Sequence, residues 1–378
     1  MNIGIDIRAL TGGSLTGIGN YIASAINAVS KQDKANTYYL LSSGLKVNID
    51  SAVDLDRSNI KHIHQYYPNK LLNSRFALGF GPNLINKIPV KLDLFWLPNI
   101  NFFKFDKHTP TILTIHDLSF LHSREFYSLK RRYWHKLVNV DKLINKAAKI
   151  IAVSGNTKRD IVRFFTVPEE KIQVINPGVT TAKMDRDYAK LLTAKVKLPQ
   201  KYFIYVGTLE PRKNISGVIK AFDRYHKDYP YTELVIVGSK GWIYRNILRD
   251  IKKRKYIRYL GYIPSPAKDA LYHLSQGLIW PSFYEGFGFP PMEATYHNIP
   301  VIVSYKTSLP EIMKQQALYV DPYNVSDIYQ ALKSLTEDKV LADDFKTSAK
   351  TSVLIFSPRL IASSNNNLKF IGNSLLNW

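Results

Sequence analysis

The chain of 378 residues contains no cysteine, which excludes disulfide bonds and thiolate metal sites. It also lacks any uninterrupted apolar run near the roughly 18 residues that a membrane-spanning helix needs. The N-terminal stretch MNIGIDIRALTGG carries Asp6 and Arg8 and does not have the layout of a secretory signal. We therefore expect a cytoplasmic protein, either in solution or attached peripherally to the inner face of the cell membrane.

Negative charge is scarce beside positive charge, with 30 Asp and Glu against 52 Lys and Arg and a formal net charge of +22. Such an excess implies an anionic partner, for which nucleic acid, a phosphate-bearing substrate and acidic lipid head groups are the alternatives. The sequence shows no helix-turn-helix, no aromatic RNA-binding signature and no zinc spacing. We therefore expect no nucleic-acid partner.

Short β-type runs alternate with helical patterns almost throughout, which is typical of βαβ units and parallel sheets. The length of the chain exceeds one ordinary core, so we predict two α/β domains. Strands are predicted at residues 3–8, 38–41, 92–97, 111–115, 150–153, 171–175, 202–206, 233–237, 256–260, 278–281 and 300–303, with helices over 216–229 and from Pro291.

A polar stretch at 180–200 follows the breaker Asn176-Pro177-Gly178 and is predicted to be the inter-domain linker. The expected domains are 1–179 and 201–355, followed by a C-terminal helix at 356–378 whose return to the first domain is left open. Two doubly wound sheets in tandem would face a cleft, with ligands beyond the carboxyl ends of the strands.

The run VGTLEPRKN, from Val206 to Asn214, follows a predicted strand and opens a helix. Arg212 and Lys213 stand at this junction, where backbone N–H groups and the helix dipole favour an anion. A guanidinium forks two phosphate oxygens and an ammonium adds a compact charge, so the pair could neutralise a leaving nucleoside diphosphate without a metal. A solvated basic turn is the alternative.

The stretch SFYEGFGFPPMEA, from Ser282 to Ala294, places Glu285 and Glu293 around a loop rich in glycine and proline. The glycines let the backbone approach a ligand, and Pro290-Pro291 suits the first turn of a helix. Glu285 could bond sugar hydroxyls while Glu293 takes a ribose diol, although dipole capping also explains Glu293. Used as acid and nucleophile, the same pair would describe a retaining glycosidase.

A glycine-containing loop follows the first predicted strand, with Gly12, Gly13, Gly17 and Gly19. It is not a G-x-G-x-x-G motif and has no acidic ribose partner further on, which disfavours dinucleotide binding. The loop either approaches a donor phosphate or an acceptor, or is merely flexible.

The stretch Lys130–Lys149 contains seven Lys or Arg residues and one Asp, with apolar residues at helical spacing. This pattern predicts a basic amphipathic helix. Its apolar stripe either packs in the core or, with the basic face, contacts acidic lipids.

Taken together, these motifs resemble the retaining GT-B glycosyltransferases of family 4, especially the mannosyltransferase-like members that build bacterial surface polysaccharides. The resemblance covers nearly the whole chain in order. It is carried by Glu285 and Glu293, by the run Gly207 to Asn214, by the glycine loop, and by Thr114 to Asp117, Val153-Ser154, Asn176 to Val179 and Ser308 to Glu311.

The resemblance implies a role for each matching residue. Arg212 and Lys213 would bind the donor's diphosphate, Glu293 the ribose and Glu285 the transferred sugar. His116 would lie near the reacting sugar, although hydrogen bonding to Asp117 is the alternative. The remaining donor-binding positions are glycine and aromatic residues of the matched loops: Gly13, Gly207, Gly286, Phe287, Gly288 and Phe289.

The implied fold is two Rossmann-like domains facing a cleft. The implied reaction is transfer with retention, needing neither metal nor cofactor, from a nucleotide-sugar to a saccharide or lipid-linked saccharide. GDP-mannose is the first expected donor. A lipid- or nucleic-acid-binding protein on a degenerate transferase fold is the non-enzymatic alternative. Two positions depart from the family pattern: Asn298 replaces a usual glycine, and Phe356-Ser357-Pro358 lacks a common tryptophan.

Overall fold

The computed structural model describes residues 1–11, 17–47, 49, 52–179, 181 and 184–352. The strands within these residues are β1 (Asn2–Asp6), β2 (Thr37–Ser43), β3 (Ile60–Gln65), β4 (Leu94–Leu97), β5 (Thr111–Ile115), β6 (Lys149–Ala152), β7 (Ile172–Val174), β8 (Tyr202–Val206), β9 (Glu233–Val237), β10 (Ile257–Gly261), β11 (Leu278–Trp280), β12 (Val301–Ser304) and β13 (Leu318–Val320).

The helices are α1 (Gly17–Gln32), α2 (Asn69–Ala77), α3 (Ser119–His122), α4 (Leu129–Val138), α5 (Val140–Lys146), α6 (Gly155–Phe164), α7 (Arg186–Thr193), α8 (Ile215–Asp228), α9 (Arg245–Lys252), α10 (Ala267–Leu274), α11 (Phe289–Tyr296), α12 (Leu309–Met313), α13 (Val325–Glu337) and α14 (Lys339–Ser352).

The first of two compact units is formed by Met1–Leu118 and Leu129–Gly178. Its parallel sheet has the strand order β3-β2-β1-β4-β5-β6-β7. The inner strands are apolar runs such as LFWL in β4 and TILTI in β5, and every residue of both is buried. Such continuous runs are expected of strands that helices cover on both faces.

The second unit starts again at Val179 and also includes Ser119–Ser128. Its sheet is parallel, with the order β10-β9-β8-β11-β12-β13. The strand order reverses between β8 and β11, and ligands of doubly wound sheets bind beyond the carboxyl ends of the strands at such a point. The loops after these two strands carry Arg212, Lys213 and Glu285.

The predicted fold class, two doubly wound parallel sheets, is confirmed. All the predicted strands are present, with ends that differ by at most two residues. Two strands were not predicted, and both lie at a sheet edge. The sequence of β3, IKHIHQ, has too few apolar residues to be recognised as a strand, and β13 has only three residues. The predicted C-terminal helix at 356–378 lies outside the described residues.

The prediction of one basic helix over Lys130–Lys149 is wrong. Asn139 adopts a left-handed conformation with φ of 54° and separates α4 from α5, which it caps by accepting a hydrogen bond from the Lys142 backbone. Asparagine tolerates this conformation better than other residues with a side chain, so the chain can turn here. β6 then begins at Lys149.

The stretch predicted as a linker, 180–200, contains the helix α7. Asp185 begins this helix by accepting hydrogen bonds from the backbone N–H groups of Asp187 and Tyr188. α7 packs against α10, so part of this stretch belongs to the packed second unit.

Asn298, which departs from the glycine of the family pattern, has φ of 54°. It follows α11 and ends the turn by donating its backbone N–H to the carbonyl of Thr295 at 2.9 Å. A left-handed conformation suits glycine, and asparagine is among the residues with a side chain that adopt it with least strain.

The loops after β8 and β9 approach each other closely at Gly207 and Gly238, which fixes glycine at position 238. A Cβ there would lie 1.9 Å from the carbonyl oxygen of Gly207. We expect Gly238→Ala to lower the free energy of unfolding by at least about 2 kcal/mol, because the contact is with backbone that cannot move aside. Urea denaturation followed by tryptophan fluorescence measures this loss.

The matched control is Gly261→Ala. Gly261 also has a positive φ, of +74°, but an added Cβ there meets nothing within 4 Å. It reports the cost of the backbone conformation alone, so an equal loss in both variants would contradict the prediction.

Candidate functional site

Arg212 and Lys213 lie in a 3₁₀ turn, Pro211–Lys213, between β8 and α8. Asn214 follows in a left-handed conformation with φ of 55°, which redirects the chain into the helix. Its side-chain amide donates to the carbonyls of Pro281 at 3.0 Å and Pro322 at 2.6 Å. The turn is thereby fastened to the loops that follow β11 and β13.

The loop after β11 holds Glu285 by its backbone. The Glu285 N–H donates to Thr307 Oγ1 at 3.0 Å, and Ser308 Oγ donates to the carbonyls of Glu285 and Phe287 at 2.9 and 3.1 Å. Gly288, with φ of +112°, then leads into α11. Residues that follow β12 therefore fix the conformation of the Glu285 loop.

The two loops meet in a buried cluster of four charged side chains, which we call the charge cluster: Glu210, Arg212, Lys213 and Glu285. Lys213 Nζ lies 2.6 Å from Glu285 Oε1, and Arg212 Nη1 lies 3.2 Å from Glu285 Oε2. Arg212 Nη2 lies 2.9 Å from Glu210 Oε1, while Nη1 also donates to the Tyr284 carbonyl at 2.6 Å.

The charges of this cluster balance, with two cations against two carboxylates. Balance is required because isolated buried charges are costly, and these side chains are only 3–12% exposed. Burial and the neighbouring Arg212 guanidinium lower the pKa of the Lys213 ammonium, although Glu285 and Glu210 act in the opposite direction. The Lys213 ammonium also lies 4.4 Å from the centre of the Trp280 ring, a cation–π contact.

Glu293 belongs to a different set of contacts. Its Oε1 accepts from Lys268 Nζ at 2.7 Å and its Oε2 accepts from the Tyr272 hydroxyl at 3.0 Å. Both partners lie one turn apart on α10. Burial alone would lower the pKa of Lys268, but the carboxylates of Glu293 and Asp269 outweigh it and raise that pKa.

The other expected donor-site residues of the second unit lie in the same two loops or, for Phe289, at the start of α11. A Cβ on Gly207 would lie 3.3 Å from the Tyr205 hydroxyl and 3.4 Å from Trp280 Nε1, so this backbone is closely packed. Gly286 and Phe287 precede Gly288, and the Phe287 ring packs edge-on against Phe289 at 5.2 Å. Gly13 lies outside the described residues.

His116 belongs to the first unit, directly after β5. Its Nε2 lies 2.9 Å from the Pro98 carbonyl, which can only accept, so Nε2 carries the proton. The ring packs edge-on against Tyr21 at 4.8 Å. Burial lowers the pKa of His116, opposed by the Pro98 bond and Asp117, so the neutral imidazole is favoured.

Arg212, Lys213 and Glu285 were predicted to follow strands, and the structure brings them into direct contact because those strands, β8 and β11, are neighbours in the sheet. Sequence reasoning missed the residues that hold them and Glu293: Glu210, Lys268, Tyr272, Thr307 and Ser308. Glu210 lies within the run Val206 to Asn214, and it could have been found because a buried guanidinium needs a carboxylate partner. For Lys268 and Tyr272, the sequence offered only their separation of four residues, which places them on one face of a helix.

Within the described ranges, no three His, Asp or Glu side chains cluster closely enough to hold a metal ion. Nor does any helix in the same ranges combine the length and apolar character needed to cross a bilayer.

Two family models match the chain. Residues 17–183 match the model described as Glycosyltransferase Family 4, and residues 193–352 match Glycosyl transferases group 1. The first match falls mainly on the first unit and the second on the second unit, including the charge cluster and Glu293.

Among curated proteins, the chain is similar to O-antigen chain mannosyltransferase B of Escherichia coli, with 32% identity over 250 residues. The match covers 63% of this chain and 64% of that protein, which is less than two thirds of its length.

Among solved structures, sucrose-phosphate synthase from Thermosynechococcus elongatus aligns with a TM-score of 0.77 and 17% identity, covering 100% of this chain and 99% of that one. HepE of Anabaena, in complex with UDP and glucose, aligns with a TM-score of 0.71 and 15% identity over 100% of both chains. At such low identity these likenesses show the fold alone.

Removing the ammonium of Lys268 should leave the Glu293 carboxylate under-compensated. We expect Lys268→Met to lower the free energy of unfolding by about 2–3 kcal/mol, less than for a fully buried pair because the two side chains keep 14% and 11% exposure. Adding Glu293→Gln should recover most of the loss, since the unpaired charge is then gone. Urea denaturation of the single and double variants measures both effects.

Lys333→Met is the matched control, because Lys333 and Glu337 are 3.8 Å apart with 39% and 55% exposure. Exposed pairs contribute about 0.3–0.5 kcal/mol. If Lys268→Met cost no more than this control, or if Glu293→Gln recovered nothing, the assignment of a compensated buried pair would be wrong.

Proposed function

Because the chain belongs to glycosyltransferase family 4, we propose that it is a retaining, metal-independent glycosyltransferase. It moves a sugar from a nucleotide diphosphate to a saccharide hydroxyl in polysaccharide or lipopolysaccharide biosynthesis. The observation that carries the proposal is the charge cluster: Arg212 and Lys213 meet Glu285 where the strand order of the second sheet reverses. A basic pair and a hydrogen-bonding carboxylate at this place suit the diphosphate and the sugar of one donor.

In the proposed reaction the bond between the anomeric carbon and the diphosphate oxygen breaks, and a bond to the acceptor oxygen forms on the same face. The acceptor's proton passes to the departing diphosphate. Arg212 and Lys213 stabilise the negative charge that develops on that leaving group. Retention by this front-face route follows from the family resemblance.

Donor binding would redistribute the ion pairs of the charge cluster. Without a ligand, the cations of Arg212 and Lys213 are neutralised by Glu210 and Glu285. A diphosphate competes with Glu285 for the same two cations, and the displaced carboxylate oxygens can then accept hydrogen bonds from sugar hydroxyls. Glu285 thus acts as a hydrogen-bonding clamp, and Glu210 keeps Arg212 in place.

Glu293 is proposed to bind the ribose diol, and His116 the surroundings of the reacting sugar. Lys268 and Tyr272 fix the Glu293 carboxylate, and each of its oxygens has a second lone pair left for a ribose hydroxyl. The neutral His116 donates its Nε2 proton to Pro98, so Nδ1 is the atom that can accept from a ligand hydroxyl.

GDP-mannose is the proposed donor. The run Leu209 to Lys213 is mannosyltransferase-like, and the similar protein from Escherichia coli is named an O-antigen chain mannosyltransferase. UDP-glucose is the next candidate, since the HepE structure holds UDP and glucose. The acceptor is proposed to be a saccharide or lipid-linked saccharide.

A glycosidase that uses Glu285 and Glu293 as a pair is less well supported. A retaining glycosidase places its two carboxyls about 5–5.5 Å apart across one sugar bond. Here each glutamate is held by its own cations, Arg212 and Lys213 for Glu285 and Lys268 for Glu293. Separate cation sets fit two parts of one nucleotide-sugar better than one acid and one nucleophile.

An acidic membrane surface is the proposed partner of the first unit. The unit would contact it with a face formed by exposed residues of α2 and α4. Both helices adjoin Phe102, whose ring lies 6.4 Å from Phe76 on α2 and 5.9 Å from Trp134 on α4. The exposed apolar residues on or beside the two helices are Leu71, Leu78, Phe80, Leu129 and Tyr133, and the exposed basic ones are Lys70, Arg75, Lys130, Arg131, Arg132 and Lys136. The combination suits acidic lipid head groups above apolar chains, and would place the protein on the inner face of the cell membrane.

The donor assignment is tested by thermal shift with GDP, UDP and their sugars, with and without EDTA, followed by turnover with a panel of radiolabelled sugar donors. We expect stabilisation by GDP that EDTA does not change, and transfer of mannose. Glu285→Gln and Lys213→Ala should each lower transfer at least about 100-fold, because each removes a contact to the donor.

Tyr231→Leu, at an 88% exposed position, is the control variant and should transfer normally. No shift with any nucleotide would overturn the transferase proposal and favour a lipid- or nucleic-acid-binding protein. An EDTA-sensitive shift would overturn metal independence, and normal turnover in both site variants would show that the site lies elsewhere.

Membrane docking is tested by sedimentation with vesicles of acidic or neutral lipids. We expect binding to the acidic vesicles only, and a loss of about tenfold or more in Lys130→Glu/Arg132→Glu, since each basic residue near such a surface contributes about 1 kcal/mol. Lys220→Glu/Lys227→Glu, a pair on α8 of the second unit, is the matched charge control. Equal binding of the wild-type protein to both vesicles, or no loss in the α4 variant, would refute this face as the docking surface.

A further inference from the structure

The segment Ser119–Ser128 connects two elements of the first unit, β5 and α4, yet it packs as part of the second unit. We call this segment the strap. It contains α3 and a 3₁₀ turn, Arg124–Phe126, and the side chains of Ser119 and Tyr127 hydrogen-bond to each other across it. Tyr127 and Ser119 are buried, so the strap is a packed element of the second unit.

One side of the strap lies on the loop that carries Glu285. The Phe126 ring stacks on Phe283, with 5.3 Å between centroids and 12° between planes, and His122 lies 5.0 Å from the ring of Tyr284. These loop residues bind Arg212 by their backbone. The Phe283 N–H donates to the Arg212 carbonyl at 3.0 Å, and the Tyr284 carbonyl accepts from Arg212 Nη1 at 2.6 Å.

The other side of the strap is fastened to Trp242, in the loop after β9. Trp242 Nε1 donates to the Phe126 carbonyl at 2.5 Å, and the rings of Tyr127 and Trp242 stack at 5.5 Å.

The Trp242 loop is itself bound to the loop that carries Glu210 and Arg212. The Leu209 N–H donates to the Ser239 carbonyl at 2.9 Å, and the Gly241 N–H donates to the Leu209 carbonyl at 3.2 Å. A Cβ on Gly241 would lie 2.9 Å from that same carbonyl oxygen, so the two loops are in close contact.

From these contacts we propose that Phe126 and Trp242 are positioning residues of the donor site. Through the strap they hold in register the two loops whose side chains form the charge cluster. The inference rests on the proposed function, since it assumes that the charge cluster binds the nucleotide-sugar. It adds that a stretch in the first half of the sequence is a working part of the donor-binding unit.

The physical reason is that the charge cluster needs both loops at fixed separation. Arg212 and Lys213 come from one loop and Glu285 from the other, and their contacts span only 2.6–3.2 Å. Thr307 and Ser308 fix the Glu285 side from behind. The strap touches both the Phe283 side and the Trp242 side, so loosening it lets the loops shift relative to each other.

The experiment measures binding of GDP-mannose and UDP-glucose to the full chain by calorimetry, in the wild-type protein and in Phe126→Leu, Trp242→Phe and Phe126→Tyr. Phe126→Leu removes the stacked ring, and we expect the affinity for the donor to fall about 10- to 100-fold, the usual effect of losing one hydrogen bond to a charged group. Trp242→Phe keeps a ring and loses the N–H hydrogen bond, so its loss of donor affinity should be smaller. Phe126→Tyr should bind the donor as the wild type does, because it keeps the stacked ring.

A double-variant cycle separates positioning from general weakening of the fold. With Glu285→Gln, one of the groups that the strap positions no longer has its ion pairs, so adding Phe126→Leu should cost clearly less than it does in the wild-type background. Tyr231→Leu, an exposed aromatic residue of the same unit, should bind the donor as the wild type does.

The outcomes are distinct. If the wild-type protein binds a donor and Phe126→Leu binds it equally well, or loses the same factor with and without Glu285→Gln, the positioning inference is overturned and the proposed function stands. If the wild-type protein binds neither donor, both are overturned. If Phe126→Leu does not fold, the comparison of Trp242→Phe with Phe126→Tyr replaces it. Weaker donor binding in Trp242→Phe with normal binding in Phe126→Tyr supports the inference, and normal binding in Trp242→Phe overturns it.

Discussion

The need to compensate buried charge governs the second unit of this protein. Arg212 and Lys213 are held almost out of water, and they can be there only because Glu210 and Glu285 are there too. Glu285 is brought in by a different loop, so this loop must be fastened as well, and the hydroxyls of Thr307 and Ser308 do so. Asn214 binds this same loop at Pro281 and joins one further loop, the one after β13, to the Arg212 turn at Pro322. The whole carboxyl edge of the sheet is organised around one pairing of charges.

The positive net charge of the chain does not come from the charge cluster. The chain carries +22 overall, yet the charge cluster is balanced within itself. The excess therefore lies elsewhere, and exposed basic residues of α2 and α4 in the first unit are part of it. On the proposed function, a donor diphosphate would have to replace Glu285 as the partner of Arg212 and Lys213. On the proposed docking to acidic lipids, the α2 and α4 face would instead present exposed charge, where attraction is long-ranged and sensitive to salt.

The sequence predicted the inner strands well because strands covered on both faces are uniform apolar runs, as in TILTI of β5. It failed at β3 and β13, where edge position or shortness weakens the pattern, and at Asn139, where one left-handed residue divides a basic helix. The places of Arg212, Lys213 and Glu285 followed from their positions after strands. The partners Lys268 and Glu210 did not, because which side chains meet depends on packing between distant segments. The strap gave no sequence signal at all, since local patterns do not say on which sheet a turn will pack.

The strap also has a consequence for how the chain is made. Phe126 leaves the ribosome well before Phe283 exists, and at about 5–20 residues per second the wait is on the order of 10–30 s. Until Trp242 and then Phe283 have been synthesised, Tyr127 and Phe126 lack the rings on which they stack in the folded protein. The unit that is synthesised last is thus completed by a segment that was synthesised early. A gene cut between the two halves would give a second half that lacks a piece of its own interior.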